Sequence, residues 1–455
     1  MEESKIMSYH LFEDKETRRS LIYRALIFLF AYIAIRYAYP NFFPAYANRY
    51  FTVDTEWNRT CVNLFLLVFL WLFLREENKL FETRNRISAA IMICLNYIYF
   101  LPGTFMNMFY AGEIYFSILY AVYCIVINCM VIGIGNRKIK PARHLFSRVN
   151  SDNICLLLTV LMIALSLVFS GFQINIFNVF NSDEIYTTRG TNELIDRLYF
   201  LWYFIIFGAT IIPTWLVIAL KKKQYIRALL YSVAVFLMFS VNANRQFIFT
   251  LAVACAIYFC KKRRNLANWV FMAMWMIPVA ELIINKGYIL SDVLRRFVLV
   301  PNIDAFYHVD FFQENEPDYL RQALNIYANR LGFVSPYSKK IATIIGEQYF
   351  GTAMNANTGL LGGNFANYGY LSLVLGPIGY VFSFWILDKV FVQTQHKEIL
   401  LATAITVAFS VTNYETWIEL FITPSWIFFY YIFLALLPTQ GIEEPLIQHK
   451  GCKLE

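Results

Sequence analysis

Residues 114–135 read IYFSILYAVYCIVINCMVIGIG, and these 22 residues contain no charged side chain. A helix of about 20 apolar residues is long enough to cross the hydrocarbon core of a bilayer. Similar apolar runs recur along the chain, for example at 64–74, 154–169 and 200–220. A soluble core does not need so many of them. The pattern therefore predicts an all-α, polytopic integral membrane protein.

The composition supports this class. Of the 455 residues, 58% are hydrophobic and 15% are charged, whereas a soluble domain carries roughly a quarter charged residues. The net charge of +8 comes from short basic clusters beside apolar runs, where lysine and arginine determine topology, so we expect no nucleic-acid partner. The eight cysteines show neither a disulfide framework nor metal-site spacing.

The basic clusters also predict the topology. Short cytoplasmic loops are rich in lysine and arginine, and the N-terminal tail and five connections have this character: 75–86, 137–148, 221–227, 261–264 and 389–397. If all of them are cytoplasmic, the chain is one membrane domain, 1–455, with about twelve transmembrane helices and both termini inside. The predicted spans are 21–39, 60–74, 88–104, 114–135, 154–171, 198–220, 228–243, 246–260, 269–285, 368–387, 399–413 and 420–437.

One large loop, 286–358, falls on the outer side in this topology. It is polar and aromatic and contains three prolines. A structureless loop of that length is unusual, so we expect short amphipathic helices at the membrane interface, such as 319–331.

Arginines on the outer side are the first candidate site residues, because positive charge is normally depleted there. The guanidinium group binds phosphate through two parallel hydrogen bonds. Taken together, these arginines predict a site for a polyanion or a pyrophosphate. For each arginine alone, the alternatives are a side chain that extends to the membrane interface or one that forms a salt bridge. The set comprises Arg189, Arg197, Arg245, Arg295, Arg296, Arg321 and Arg330.

Two other features could carry chemistry. His308 is the only histidine on the predicted outer side, and it is either a general base or a hydrogen-bonded loop residue. The acids Asp54 and Glu56 in the first outer loop could hold a divalent metal or act as a base, or they are solvated loop acids.

Residues 355–369 are rich in glycine and asparagine. Glycines permit close helix packing, and a packed helix entry explains them. The asparagines, including Asn357 and Asn364, are candidates for binding sugar hydroxyl groups.

The outer half resembles the bacterial O-antigen and capsular polysaccharide polymerases, which join oligosaccharide repeat units. The resemblance lies in YTTRG (186–190), LRRFVLVP (294–301) with FYHVDFF (306–312) and DYLRQ (318–322), and NTGLLGGNFANYG (357–369). The first half of the chain resembles these proteins only in hydropathy.

The resemblance implies a glycosyltransferase with a GT-C-like membrane fold in the bacterial inner membrane. It implies undecaprenyl-pyrophosphate-linked oligosaccharides as substrates, and a flippase and a chain-length regulator as partners. A growing glycan would leave its lipid pyrophosphate for a hydroxyl of a second lipid-linked unit, in lipopolysaccharide or capsule synthesis. This chemistry needs a base and cations for the departing pyrophosphate.

Within this interpretation His308, Asp304 or Glu347 is the base. Arginines bind the pyrophosphate without a metal or cofactor, and Tyr186 joins them in the substrate site.

Two alternatives remain open from the sequence. A metal-dependent transferase using a polyprenyl-phosphate sugar would place Asp54 or Glu56 at its centre. A flippase for lipid-linked oligosaccharides would show internal repeats and charges near the middle of the membrane, and neither is evident.

Overall fold

The computed structural model describes residues 18–38, 60, 63–64, 66, 86–110, 114–135, 137, 139, 151–169, 212–242, 246–259, 266–286, 298–324, 328, 330–356, 358–391 and 397–422. Over these residues the secondary structure is helical, with turns and loops between the helices and no strand.

We number the helices of the described residues in chain order. Two segments have the wider turn of a π-helix: Ala34–Ala38 extends the first helix at its end, and Asn96–Phe100 lies inside the second. The helices are α1 (Arg18–Ile33), α2 (Ile87–Leu95 continuing to Leu101–Tyr110), α3 (Ile114–Gly135), α4 (Ser151–Phe169), α5 (Ile212–Lys221), α6 (Tyr225–Asn242), α7 (Gln246–Phe259), α8 (Leu266–Ile283), α9 (Val300–Glu314), α10 (Ile341–Phe350), α11 (Leu360–Tyr368), α12 (Ser372–Phe391) and α13 (Lys397–Asn413).

Four helical segments of the described residues are long and apolar enough to cross a membrane. They are Ile87–Phe109, Ile114–Gly135, Leu266–Ile283 and Leu360–Lys389, the last formed by α11, a 3₁₀ turn and α12. Shorter apolar helices lie at α4 to α7 and α13. The prediction of an all-helical chain is confirmed over the described residues, and these four candidate spans support the prediction of transmembrane helices. The total of twelve stays a prediction.

Asp388, near the end of α12, caps the start of α2. Its carboxylate accepts bonds from the Ser88 backbone N–H at 3.0 Å and from the Ser88 hydroxyl at 2.6 Å. The first N–H groups of a helix have no partner within the helix and carry partial positive charge. A buried carboxylate at this position therefore joins α12 to α2.

The same end of the bundle holds the ion pairs of the predicted cytoplasmic connections. Lys221 pairs with Glu398 at 2.8 Å, and Lys222 pairs with Asp152. Arg86 donates to the carbonyl of Ile134 at 2.7 Å. The described ends of the basic connections at 75–86, 137–148, 221–227 and 389–397 thus meet at one end, as the predicted topology requires. Which membrane face this end occupies stays a prediction.

Glycines allow α11 to approach its neighbours closely, as the sequence of 355–369 predicts. A Cβ atom on Gly362 would lie 2.6 Å from the Cα atom of Ala305 in α9. A Cβ atom on Gly359, just before α11, would lie 1.9 Å from the carbonyl oxygen of Val411 in α13. Both distances are too short for any side chain, so α11 sits between α9 and the end of α13 with backbones in contact.

The described residues of the predicted outer loop include helices α9 and α10, and α9 is part of the core. Helix α9 is buried over most of its length. Helix α10 packs on it through Tyr349, whose hydroxyl donates to Asp310 at 2.6 Å and whose ring stacks on Tyr307 with centroids 4.2 Å apart.

The prediction of a helix at 319–331 is wrong over residues 319–324, where the chain forms turns. Tyr319 and Leu320 have φ angles of 52° and 65°, in a region that a right-handed helix does not use. Their N–H groups bond instead to the backbone and side-chain oxygens of Asn367.

Substituting Gly362 should measure the importance of the α9–α11 contact. We expect Gly362→Ala to lower the free energy of unfolding by about 1–3 kcal/mol, because the added methyl group forces two backbones apart. Thermal unfolding in detergent would show this as a lower midpoint. Gly133→Ala is the matched control, since nothing lies within 4 Å of a Cβ atom there. Equal midpoints for the two variants would contradict the contact.

Candidate functional site

The candidate site is built on α9, and Asn302 fixes the beginning of this helix. The Asn302 amide donates to the carbonyls of Tyr99 at 3.2 Å and Val298 at 2.9 Å, and its oxygen accepts from the Tyr120 hydroxyl at 2.8 Å. Pro301 supplies the fixed φ angle that suits a first helical turn. These bonds join α9 to α2 and α3 and determine how it is rotated.

Asp304 and His308 then lie on one inward face of α9, because residues four apart in a helix lie above one another. Their exposed fractions are 1% and 0%. The Nδ1 atom of His308 lies 2.8 Å from the carbonyl oxygen of Asp304. Since a carbonyl only accepts, Nδ1 carries the proton, and Nε2 of the neutral ring presents a lone pair.

Three buried polar atoms at this face have no hydrogen-bond partner within the described part of the chain: Nε2 of His308 and both carboxyl oxygens of Asp304. Leaving a buried polar group unpaired costs about 1–3 kcal/mol, and nearly all such groups in folded proteins are paired. A substrate with hydroxyl groups would provide the missing donors.

Burial pushes the pKa values of the two side chains apart. It lowers the pKa of His308 from 6.5 to about 4, although the bond to the Asp304 carbonyl opposes this change. It raises the pKa of the Asp304 carboxyl well above 3.8. Desolvation disfavours the charged form of either group, which is why the shifts have opposite signs. Such a separation is typical of an acid and a base working together.

Hydroxyl and amide groups from four more helices form a polar region that reaches this pair through Tyr99. Tyr99 of α2 lies within electrostatic range of Asp304 and Tyr380. Tyr123 of α3 lies 3.3 Å from the amide nitrogen of Asn364, whose Oδ1 has no partner within the described residues. We call the six residues the inner polar cluster: Tyr99, Tyr123, Asp304, His308, Asn364 and Tyr380.

Asn364 and its neighbours also have structural bonds. The Asn364 amide donates to the Leu360 carbonyl at 2.6 Å, and Thr358 donates to the Pro301 carbonyl at 2.8 Å. Asn367 donates to Gly363 at 2.8 Å. The polar residues of 355–369 therefore fasten α11 as well as lining the cluster.

The remaining predicted site residues lie elsewhere or outside the described residues. Glu347 is bound at the surface by Lys339, with both oxygens 2.7 Å from Nζ. Arg321 pairs with Glu316 at 3.3 Å, and Arg330 is exposed. Outside the described residues lie Arg189, Arg197, Arg245, Arg295, Arg296, Tyr186 and Asn357, as do Asp54 and Glu56 of the metal-dependent alternative.

A second group of acids was not predicted from the sequence. Burial raises the pKa of Glu415 to about 7 and that of Glu419 to about 8, and Lys340 opposes both changes. Asp318, itself fully buried, contributes to the shift of Glu415. Both glutamates occupy the short gap between two predicted spans, where a sequence pattern gives no sign of burial. Among the described residues, no group of histidine, cysteine and acidic side chains is arranged to hold a metal ion.

No family model, curated protein or solved structure matches this chain.

Replacing Asp304 should separate a functional group from a structural one. We expect Asp304→Leu to raise the free energy of unfolding by about 1–3 kcal/mol, because it removes a buried carboxyl group without partners. Asn302→Leu, two residues earlier on the same helix, should lower it by a similar amount because it breaks bonds to α2 and α3. Thermal unfolding of both proteins measures the signs. A lower midpoint for Asp304→Leu would mean that its carboxyl group has a structural role.

The lowered pKa of His308 predicts a loss of stability in acid. Between pH 6.5 and about 4 the unfolded chain binds a proton at this ring and the folded protein does not, so stability falls as the pH falls through this window. Above pH 6.5 the contribution is complete. His308→Gln, which cannot titrate, should therefore gain stability relative to the wild type as the pH is lowered from 7 to 4. The acids Asp304, Glu415 and Glu419, whose pKa values are raised, contribute the opposite slope to both proteins and cancel in this difference. An unchanged slope would contradict the assignment.

Proposed function

We propose that this protein is a polysaccharide polymerase of a bacterial inner membrane, with about twelve spans and a GT-C-like fold. The reaction transfers a growing glycan from undecaprenyl pyrophosphate to a hydroxyl of another lipid-linked repeat unit. The observation that carries the proposal is the buried pair Asp304 and His308, whose carboxyl oxygens and Nε2 atom have no hydrogen-bond partner among the described residues.

His308 is assigned the role of base. Its Nε2 lone pair accepts the hydrogen bond of the acceptor hydroxyl and then its proton, as the hydroxyl oxygen bonds to the anomeric carbon. The bond from that carbon to the pyrophosphate oxygen breaks, and the electron pair leaves with the pyrophosphate. The neutral ring is available for this at pH 7 because its pKa is lowered by burial.

Asp304 is assigned the role of a neutral carboxyl group. Burial raises its pKa and so favours the protonated carboxyl group. In that form it both donates and accepts hydrogen bonds with sugar hydroxyl groups. Tyrosine hydroxyls and the Asn364 amide supply more bonds of the same kind. Neutral polar groups suit a glycan, which is rich in hydroxyl groups and usually carries few charges.

The cations for the pyrophosphate are the arginines predicted from the sequence. Arg245, Arg295 and Arg296 are assigned to it, because forked guanidinium groups match phosphate oxygens. Of the described arginines, Arg321 is held at the surface by Glu316, so we assign it to the rim rather than to the centre.

Polymer length in cells tests the assignment. In a strain lacking the native gene, His308→Gln should reduce polymerisation by about 10²–10⁴-fold, the usual contribution of a general base. Surface glycan would collapse from a ladder to single repeat units on a gel. Asp304→Asn, which keeps a neutral donor and acceptor, should retain part of the ladder, and Asp304→Leu should abolish it.

The outcomes distinguish the alternatives. A normal ladder for His308→Gln would exclude it as the base. Complete loss of surface glycan, single repeats included, would favour the flippase. Protein levels in the membrane fraction must match the wild type for either result to count.

A further inference from the structure

An exposed apolar tip projects from the loop between α9 and α10. Leu331, Phe333 and Val334 are 73%, 63% and 67% exposed. They surround Gly332, whose φ of +79° lets the chain reverse there, and the carbonyl of Ala328 accepts bonds from the N–H groups of Leu331 and Phe333. The turn thus directs large apolar side chains outwards rather than onto the protein.

A polar network around the buried Asp318 holds the base of this tip in place. Asp318 accepts from the Gln322 N–H at 2.6 Å and from the Ser335 hydroxyl at 2.5 Å. The Gln322 side chain donates to the carbonyl of Lys339 at 2.8 Å and accepts from the N–H of Ile341 at 3.1 Å. The exposed tip therefore belongs to a loop whose conformation is fixed by these hydrogen bonds.

The same loop is attached next to the apolar outer surface of the bundle. The N–H of Asp318 bonds to the Ala366 carbonyl at 2.9 Å, and a Cβ atom on Gly369 would lie 3.3 Å from Pro317. Immediately after Gly369 begins a stripe of exposed apolar residues along α12: Tyr370, Leu371, Val374, Leu375, Ile378 and Phe382. In a chain with membrane-spanning helices this stripe faces lipid, so the loop is attached where the lipid-facing surface begins.

Charge indicates which lipid the tip contacts. Arg330 directly precedes it, is exposed, and has no carboxylate partner within the described part of the chain. Apolar side chains beside a basic residue are the pattern of segments that lie in the interface of an anionic bilayer.

We propose that residues 330–334 form an interfacial anchor, with Leu331, Phe333 and Val334 inserted at the acyl boundary and Arg330 bound to anionic phospholipid phosphate. The anchor braces the loop that connects α9, which carries Asp304 and His308, to α10. It does not depend on the proposed reaction, because it rests on the exposure, the charge and the attachment of the loop.

Spin-label accessibility tests the anchor in the full-length protein. A nitroxide is placed at Phe333→Cys, or at Ser338→Cys as the matched control, in a chain whose eight native cysteines are replaced. Both positions are exposed and lie on the same loop. In vesicles of phosphatidylglycerol and phosphatidylcholine, the label at 333 should collide with oxygen more than with a water-soluble nickel complex, and the label at 338 should show the reverse. Equal nickel access at both positions would overturn the insertion.

Arg330→Gln tests the contribution of charge. It should shift the label at 333 towards water in vesicles that contain phosphatidylglycerol, and leave it unchanged in pure phosphatidylcholine. The same shift in both lipids, or no shift in either, would overturn the binding of anionic phosphate by Arg330.

Discussion

The interior of this protein depends on the direct backbone contact between α9 and α11. Gly362 removes the side chain that would otherwise keep Ala305 away, and the Thr358 hydroxyl bonds to the Pro301 carbonyl at 2.8 Å. Close approach of two helices at small residues is how helices associate in a membrane, where burial of apolar surface does not drive association. Because α9 is held so near the centre, its polar residues are desolvated together with its apolar ones.

Desolvation in turn determines the chemistry that the site can perform. A charged pair at this depth would need strong compensation, whereas a neutral imidazole and a neutral carboxyl group need only hydrogen-bond partners. Burial favours the neutral form of both side chains, since it lowers the pKa of His308 and raises that of Asp304. The described arginines of the predicted outer loop, Arg321 and Arg330, remain at the surface, where charge is less costly. Neutral polar groups in the interior and these charged groups at the surface are thereby separated within the structure.

The sequence predicted the helices well because helices in lipid must be long and apolar. The run at 114–135 coincides with α3, and the basic connections meet at one end as charge counting requires. It also singled out His308, Asp304 and Asn364, which the structure brings into one region. It did not predict that α9 is buried, because α9 mixes polar and apolar residues like a surface helix, and contacts from distant parts of the chain, such as that with Gly362, explain its position. Tyr99, Tyr123 and Tyr380 were overlooked because a tyrosine within an apolar run has the pattern of an ordinary core aromatic.

A local signal for the site does exist in α2. Pro102 has no N–H group and its ring crowds the carbonyl four residues earlier, and directly before it the helix widens into the π-type turn Asn96–Phe100. Such turns disturb the regular bonding of a helix and are frequent at functional sites. Here the carbonyl of Tyr99, within the turn, accepts from Asn302 at 3.2 Å, and Gly103 leaves the space that the Asn302 amide occupies, since a Cβ atom there would lie 2.3 Å from its oxygen. The dipeptide Pro102-Gly103 thus creates the attachment point of α9, and through it the orientation of Asp304 and His308.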